Sequence, residues 1–254
     1  MLSRTTSRIL TAALLALLPA VRSEAANIVW GAPTGESADT DVSTTGVLLY
    51  AFTFGTTAVP PAVVNGVPFS SFAATSGSNS VTVGSVTLQS PGSTFFSDNT
   101  NAGSASAPFS NLSAAYQGLL QSAVSTNATG SNLTLTLGGL TIGNTYQVEF
   151  WANESQTFFN AVGNNTKTLL TAGNLATLDL NSTDATGGVG QWVTGNFTAD
   201  AITQLVTVAP DTAGHVVVLN GFEVRTVPEP ASIGLLGLGA VLLASRRRRS
   251  AMRE

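Results

Sequence analysis

The side chains best placed to do chemistry lie on one short segment. In Tyr146–Asn153 polar and apolar residues alternate, so that Gln147, Glu149, Trp151 and Asn153 share one face of a strand. An indole flanked by a carboxylate and amides is what a sugar platform needs: the ring covers the C–H face of a pyranose and the neighbours take its hydroxyls. The competing reading is that Trp151 packs beneath a loop or helix. A second group, Glu36, Asp39 and Asp41, offers hard oxygen ligands at a spacing that suits a structural Ca²⁺ with Ser43 and loop carbonyls, although the EF-hand pattern is not met. A solvated acidic loop is the alternative. His215 is the sole histidine, with Asp211 four residues before it; no G-x-S-x-G accompanies them, and a structural histidine is the plainer reading. Glu149 and Glu154 are the carboxylate pair that glycoside hydrolysis would call on, but nothing in their spacing brings them to one cleft. No catalytic residue is assigned.

These residues belong to a stretch with few cations. Between Ala26 and Thr226 the basic side chains are Lys167 and Arg225, two against eleven carboxylates, a net of −9 with histidine neutral. Such a surface cannot neutralise phosphates, so nucleic acid is excluded as a partner. With no cysteine in the chain, disulfides, thiolate metal sites and thiol nucleophiles are excluded together. No cofactor is implied beyond the possible structural calcium. Seven N-x-S/T tripeptides, at Asn111, Asn127, Asn132, Asn153, Asn164, Asn181 and Asn196, are within what a composition rich in Asn, Ser and Thr produces by chance.

Both ends carry addresses. Arg4 and Arg8 precede an uncharged run from Ile9 to Val21, and Ser23-Glu24-Ala25 supplies the small residues of a cleavage site. Residues 1–25 therefore read as a secretory signal, handled by Sec-type export machinery and a signal peptidase. At the other end Val227-Pro228-Glu229-Pro230 precedes the uncharged segment 231–245 and then Arg246, Arg247, Arg248 and Arg249. Proline suits the first turn of a helix, and the arginines complement the dipole at its end and keep that end cytoplasmic. Fifteen residues at about 1.5 Å each span roughly 22 Å, short of a hydrocarbon core near 30 Å, as befits a temporary anchor. The V-P-E-P, the short Gly/Leu-rich span and the terminal arginines, in that order, resemble the PEP-CTERM sorting signal. The resemblance implies recognition by an exosortase in a Gram-negative bacterium that makes exopolysaccharide. It also implies transient anchoring in the inner membrane and a final place in the cell envelope, on the surface or in the extracellular matrix.

Between the addresses, residues 26–226 predict one all-β domain, a sandwich or jelly roll with one short helix. Alternation predicts strands at 133–137 and 146–152, read as a hairpin through Gly143-Asn144, and at 47–54, 81–88, 166–170, 175–180, 191–198, 204–208 and 215–224. Leu112, Ala115, Tyr116, Leu119 and Leu120 form a helical stripe, with Ser110 or Asn111 as its cap. Residues 97–110 read as a surface loop. The layout Asp41-Val42-Ser43-Thr44-Thr45-Gly46, Val64-Asn65-Gly66-Val67 and Val218-Leu219-Asn220-Gly221-Phe222 ahead of V-P-E-P resembles the jelly-roll, galactose-binding-like cargo domains of sorted surface proteins, a resemblance that identifies no ligand. The function expected is that of an exported, non-catalytic surface or matrix protein associated with extracellular polysaccharide. The alternatives are a structural or adhesive protein and, less favoured, a secreted hydrolase.

Overall fold

The computed structural model describes residues 26–55, 62–159 and 163–227. In chain order the strands are β1 (Val29–Trp30), β2 (Thr34–Gly35), β3 (Val47–Gly55), β4 (Ala62–Val64), β5 (Val67–Ala73), β6 (Ser80–Val83), β7 (Val86–Gln89) and β8 (Phe95–Asp98). The helix α1 (Ala114–Leu120) follows. Then come β9 (Ala123–Thr126), β10 (Leu133–Gly138), β11 (Thr145–Ala152), β12 (Lys167–Thr171), β13 (Leu175–Asp179), β14 (Gln191–Thr198), β15 (Thr203–Pro210), β16 (Val218–Leu219) and β17 (Gly221–Thr226).

Two large sheets face each other. One has the order β1-β14-β11-β17-β3-β5-β4, with β2 also paired to β14; the other runs β13-β12-β15-β10-β7-β6. A smaller sheet, β16-β9-β8, joins them. Period-two alternation decides what is buried. Tyr146, Val148 and Phe150 of β11 point inward with Phe222 and Val224 of β17, against Leu133, Leu135 and Leu137 of β10 and Val206 and Val208 of β15. Phe150 and Phe222 stack at 5.7 Å, and Tyr50 reaches across from β3 to donate its hydroxyl to Gly138 O on the opposite sheet. This is the sandwich expected, with its one short helix.

Several local expectations change. Residues 133–138 and 145–152 are not hairpin partners: β10 lies in one sheet and β11 in the other. Each strand has one apolar face, and the two faces bury each other by packing face to face rather than edge to edge. The linking segment turns with Gly139 and Gly143 in the left-handed region, φ 75° and 89°. The single strand expected at 81–88 is instead a hairpin, β6–β7, closed by Gly84-Ser85 with Val83 paired to Val86. The helix is capped by Ser113, whose Oγ accepts the Tyr116 N–H at 3.1 Å, while Ser110 and Asn111 belong to a preceding 3₁₀ turn. Residues 97–110 are more than a surface loop, since Ala102 and Phe109 are buried.

Candidate functional site

On β11 the outward residues are Gln147, Glu149 and Trp151, as alternation requires, but most of that face is covered. The stripe of α1 and the β4–β5 hairpin form a second core over the outer side of the sheet, with Tyr116, Leu119, Phe69 and Val64 closing on Trp151. The indole is 0% exposed and meets Phe69 edge to face at 5.6 Å. A ring with no open face cannot stack on a sugar, so the platform is corrected to a core residue. The physical reason is that the apolar stripe of α1 needs a partner, and Trp151 is the largest apolar surface on that side. Its Nε1–H makes no well-formed hydrogen bond, although it stands close enough to the Tyr116 oxygen to favour the ionised form there.

Asn153 is equally enclosed. Its N–H donates to Asn220 Oδ1 at 2.6 Å and its Nδ2 to Ala102 O at 2.8 Å, and its Oδ1 accepts from Gly190 N and Ser155 Oγ. Those bonds bind three loops to the sheet and leave nothing for a ligand. Gln147 is half-buried, beside Asn196 and Arg225 in register. The four residues share a strand face and do not form one open surface.

Glu149 stands directly opposite Glu223 of β17, each only 1% exposed. Ser43 N–H donates to Glu149 Oε2 at 3.1 Å, and Arg225 Nε donates to Glu223 Oε1 at 2.8 Å. Burial, then the charge of Glu223, pushes the Glu149 carboxyl up to about 9. Burial also raises Glu223, against the pull of Arg225. Glu149 Oε1 and Glu223 Oε2 have no donor among the described residues. The raised Glu149 carboxyl holds a proton beside these oxygens, while Arg225 is bonded to Glu223. Chemistry on a glycoside needs two carboxylates flanking an accessible bond; Glu149 and Glu154, the pair the sequence offers, are 1% and 0% exposed, and Glu154 Oε1 accepts the Gln156 N–H at 2.8 Å.

Glu36, Asp39 and Asp41 are likewise used by the fold. Asp41 Oδ2 accepts from Ser37 N at 2.6 Å, Ala38 N at 3.0 Å and Tyr116 Oη at 3.1 Å, which caps the short 3₁₀ turn Asp39–Asp41 and fastens it to α1. Asp39 accepts from Ser113 Oγ. Glu36 is buried near Asp41, accepting the Gly190 N–H at 3.1 Å, and burial, with the charge of Asp41 adding to it, raises its carboxyl well above the usual range. Among the described residues no group of three or more His, Cys, Asp or Glu is placed to hold a metal ion. The calcium expectation is corrected accordingly: the carboxylates accept from backbone N–H groups and from the Ser113 and Tyr116 hydroxyls rather than facing a common centre. His215 pairs with Asp211, Nδ1 to Oδ1 at 2.7 Å, in the turn after β15.

What lies open is the outer face of the six-stranded sheet, which was not singled out from the sequence. Thr82, Thr87, Thr136, Thr134, Thr207 and Thr171 form a connected set of outward threonines, related by the pairings Thr82↔Thr87, Thr87↔Thr136, Thr134↔Thr207 and Thr207↔Thr171. Thr82 and Thr87 hydroxyls touch at 2.9 Å. Sheet geometry sets the hydroxyls on a grid of about 4.8 Å between strands and roughly 6.8 Å along them. The signal was present in the Thr134 and Thr136 alternation, but the partners across the sheet are far apart in sequence.

The signal segment 1–25, Pro228, Glu229, Pro230, the span 231–245 and Arg246–Arg249 lie outside the described residues. Among the described residues no helix is long and apolar enough to cross a membrane. Val227, the residue at which the described chain stops, donates its N–H to Thr145 O at 2.9 Å, so the chain is still tied to β11 at that point.

Residues 226–249 match the PEP-CTERM protein-sorting motif. The motif marks an exported protein that is anchored in the membrane through its C-terminus and processed by an exosortase. No curated protein matches the chain. Among solved structures, "CBM35 from Cellvibrio japonicus Abf62" is similar at 16% identity, covering 57% of this chain and 95% of its own, with a TM-score of 0.29. A structure titled "Structural basis for the promiscuous specificity of the carbohydrate-binding modules from the beta-sandwich super family" is similar at 13% identity over 61% of this chain and 66% of its own, with a TM-score of 0.18. Likenesses of this size assign neither a site nor a ligand.

Proposed function

We propose that this exported protein leaves the inner membrane of a Gram-negative cell when an exosortase removes its tail, and then associates, without catalysis, with extracellular polysaccharide at the envelope or in the matrix. The observation that carries the reading is the sorting motif itself, which begins on Thr226, the last residue of β17. Sec-type export and removal of residues 1–25 by signal peptidase complete the route. The sandwich supports a non-catalytic role because its carboxylate pair is enclosed. It supports polysaccharide association through the threonine grid, where donors and acceptors share one outward sheet face beside the exposed Leu205. Neutral hydroxyls exchange hydrogen bonds with sugar hydroxyls without the desolvation cost of charges.

Co-sedimentation of the secreted protein with the polysaccharide of its own producing cells tests the reading. Binding that is lost in a Thr87→Val, Thr134→Val, Thr207→Val triple variant is the expected result. No sedimentation of the natural protein removes the polysaccharide association. Concentration-dependent self-assembly indifferent to sugar would favour the structural or adhesive alternative.

A further inference from the structure

The strands place the tail exit on one end of the sandwich. Thr226 pairs with Val47 at the start of β3 and with Tyr146 near the start of β11, and Thr145 pairs with Thr198 at the end of β14. The loops that cap this end are joined by backbone hydrogen bonds. Leu140 N donates to Ile202 O at 3.2 Å, Gly143 N to Ala199 O at 2.8 Å, and Ala199 N to Asn144 O at 2.9 Å. Three large apolar side chains protrude here: Val47 at 68% exposure, Ile142 at 60% and Ile202 at 68%. Single exposed apolar residues are ordinary; three on linked segments around the exit of a membrane-anchored tail call for a partner.

The same end is almost free of charge. Segments 45–47, 139–145, 198–203 and 226–227 hold one ionisable side chain, Asp200. Asp200 Oδ1 accepts from the Ala26 backbone N at 3.2 Å. Once the signal segment is removed after Ala25, that nitrogen is the terminal ammonium and neutralises Asp200. Ala26 also brings the N-terminus to this end, so both ends of the domain leave from one face.

We propose that this end face, with Val47, Ile142 and Ile202, lies in the headgroup layer of the bilayer while the protein is anchored. The inference goes beyond polysaccharide association and rests on the anchored stage of sorting. The tether is short: from Val227 to the first residue of the expected span at 231 is four residues, at most about 14 Å fully extended. The headgroup layer takes up roughly 5–8 Å of that on each side of the hydrocarbon. Even fully extended, the tether leaves no more than about 6–9 Å between the end face and the headgroups, and any shorter path brings them into contact; the apolar side chains and few charges of the face suit the interfacial depth.

The absence of cysteine makes the test direct, because a single introduced cysteine is a unique labelling point. Protein comprising residues 26–254, carrying a nitroxide at V47C, I142C, I202C or, on the opposite end, A213C, is placed in phosphatidylethanolamine/phosphatidylglycerol vesicles and checked for flotation. Collision with oxygen is then compared with collision with a water-soluble nickel complex. The expected result is an oxygen-to-nickel ratio several-fold higher at 47, 142 and 202 than at 213. If the protein floats and all four labels are equally open to the nickel complex, the inference is overturned while the anchored reading stands. Labels shielded from both colliders would put protein on this face and also overturn it. Failure to float would overturn the anchored reading and the inference with it. Labels at Thr141 on the same loop and at Thr203, the first residue of β15, both exposed, replace any cysteine variant that misfolds by circular dichroism.

Discussion

Glu149 and Glu223 meet across the β11–β17 pair with a guanidinium, Arg225, on the Glu223 side only. This asymmetry favours the proton on Glu149 over Glu223 inside the sheet.

A definite pH dependence follows. In the fold Glu149 keeps its proton to about pH 9, against an ordinary value of 4.5. The unfolded chain sheds that proton above about pH 5 and the folded chain does not. Stability is therefore fullest below about pH 5 and falls as pH rises towards 9, by up to about 1.4 kcal/mol per pH unit for each such group. Glu149→Gln keeps the shape and a donor for Glu223. It is expected to flatten the decline and raise the urea midpoint at pH 8, leaving a residual slope from Glu36 and Glu223. An unchanged slope would show that Glu149 is ionised in the fold.

Trp151 is expected to matter for stability rather than for ligand. Trp151→Ala empties the second core beneath α1 and should cost about 3–5 kcal/mol in chemical denaturation. The fraction that remains folded should bind polysaccharide as the natural protein does. Loss of binding with unchanged stability would return Trp151 to a binding role.

The contrast between Trp151 and the strands around it marks what the sequence could disclose. Alternation along Tyr146–Ala152 placed Trp151 and Glu149 on the correct face, and β14 was legible to the residue because its pattern is local. Which element covers a face is not local. The lid over Trp151 is α1, about thirty residues upstream, together with β4–β5, whose strands were not foreseen. The threonine grid was unread for the same reason, since its rows are assembled from β6, β7, β10, β12 and β15. The β10–β11 hairpin failed because two strands with a Gly-rich link fit either an edge pairing or a crossing between sheets, and only the shared core decides.

The Asp41 cap should be measurable. Tyr116→Phe removes one donor to Asp41 Oδ2 and leaves Ser37 N and Ala38 N in place. A loss of about 1 kcal/mol in denaturant unfolding is expected. No loss would mean that the hydroxyl does not hold the 3₁₀ turn to α1.

Asn220 should be more sensitive. Its Nδ2 donates to Leu120 O and Ser122 O while its Oδ1 takes the Asn153 N–H, so one amide links β17, β11 and the end of α1. Asn220→Asp replaces two donations by carboxylate–carbonyl repulsion in a dry site. A cost of at least about 3 kcal/mol is expected, read as a fall in unfolding midpoint. A near-neutral effect would contradict the linking role.

The account as a whole turns on routing, which the intact mass of the protein recovered outside producing cells tests most directly, with and without their exosortase gene. The expected mass in normal cells lacks residues 1–25 and the arginine-rich tail, and deletion of the exosortase leaves the tail attached and the protein in the membrane. Protein released from normal cells with Arg246–Arg249 still in place would contradict it.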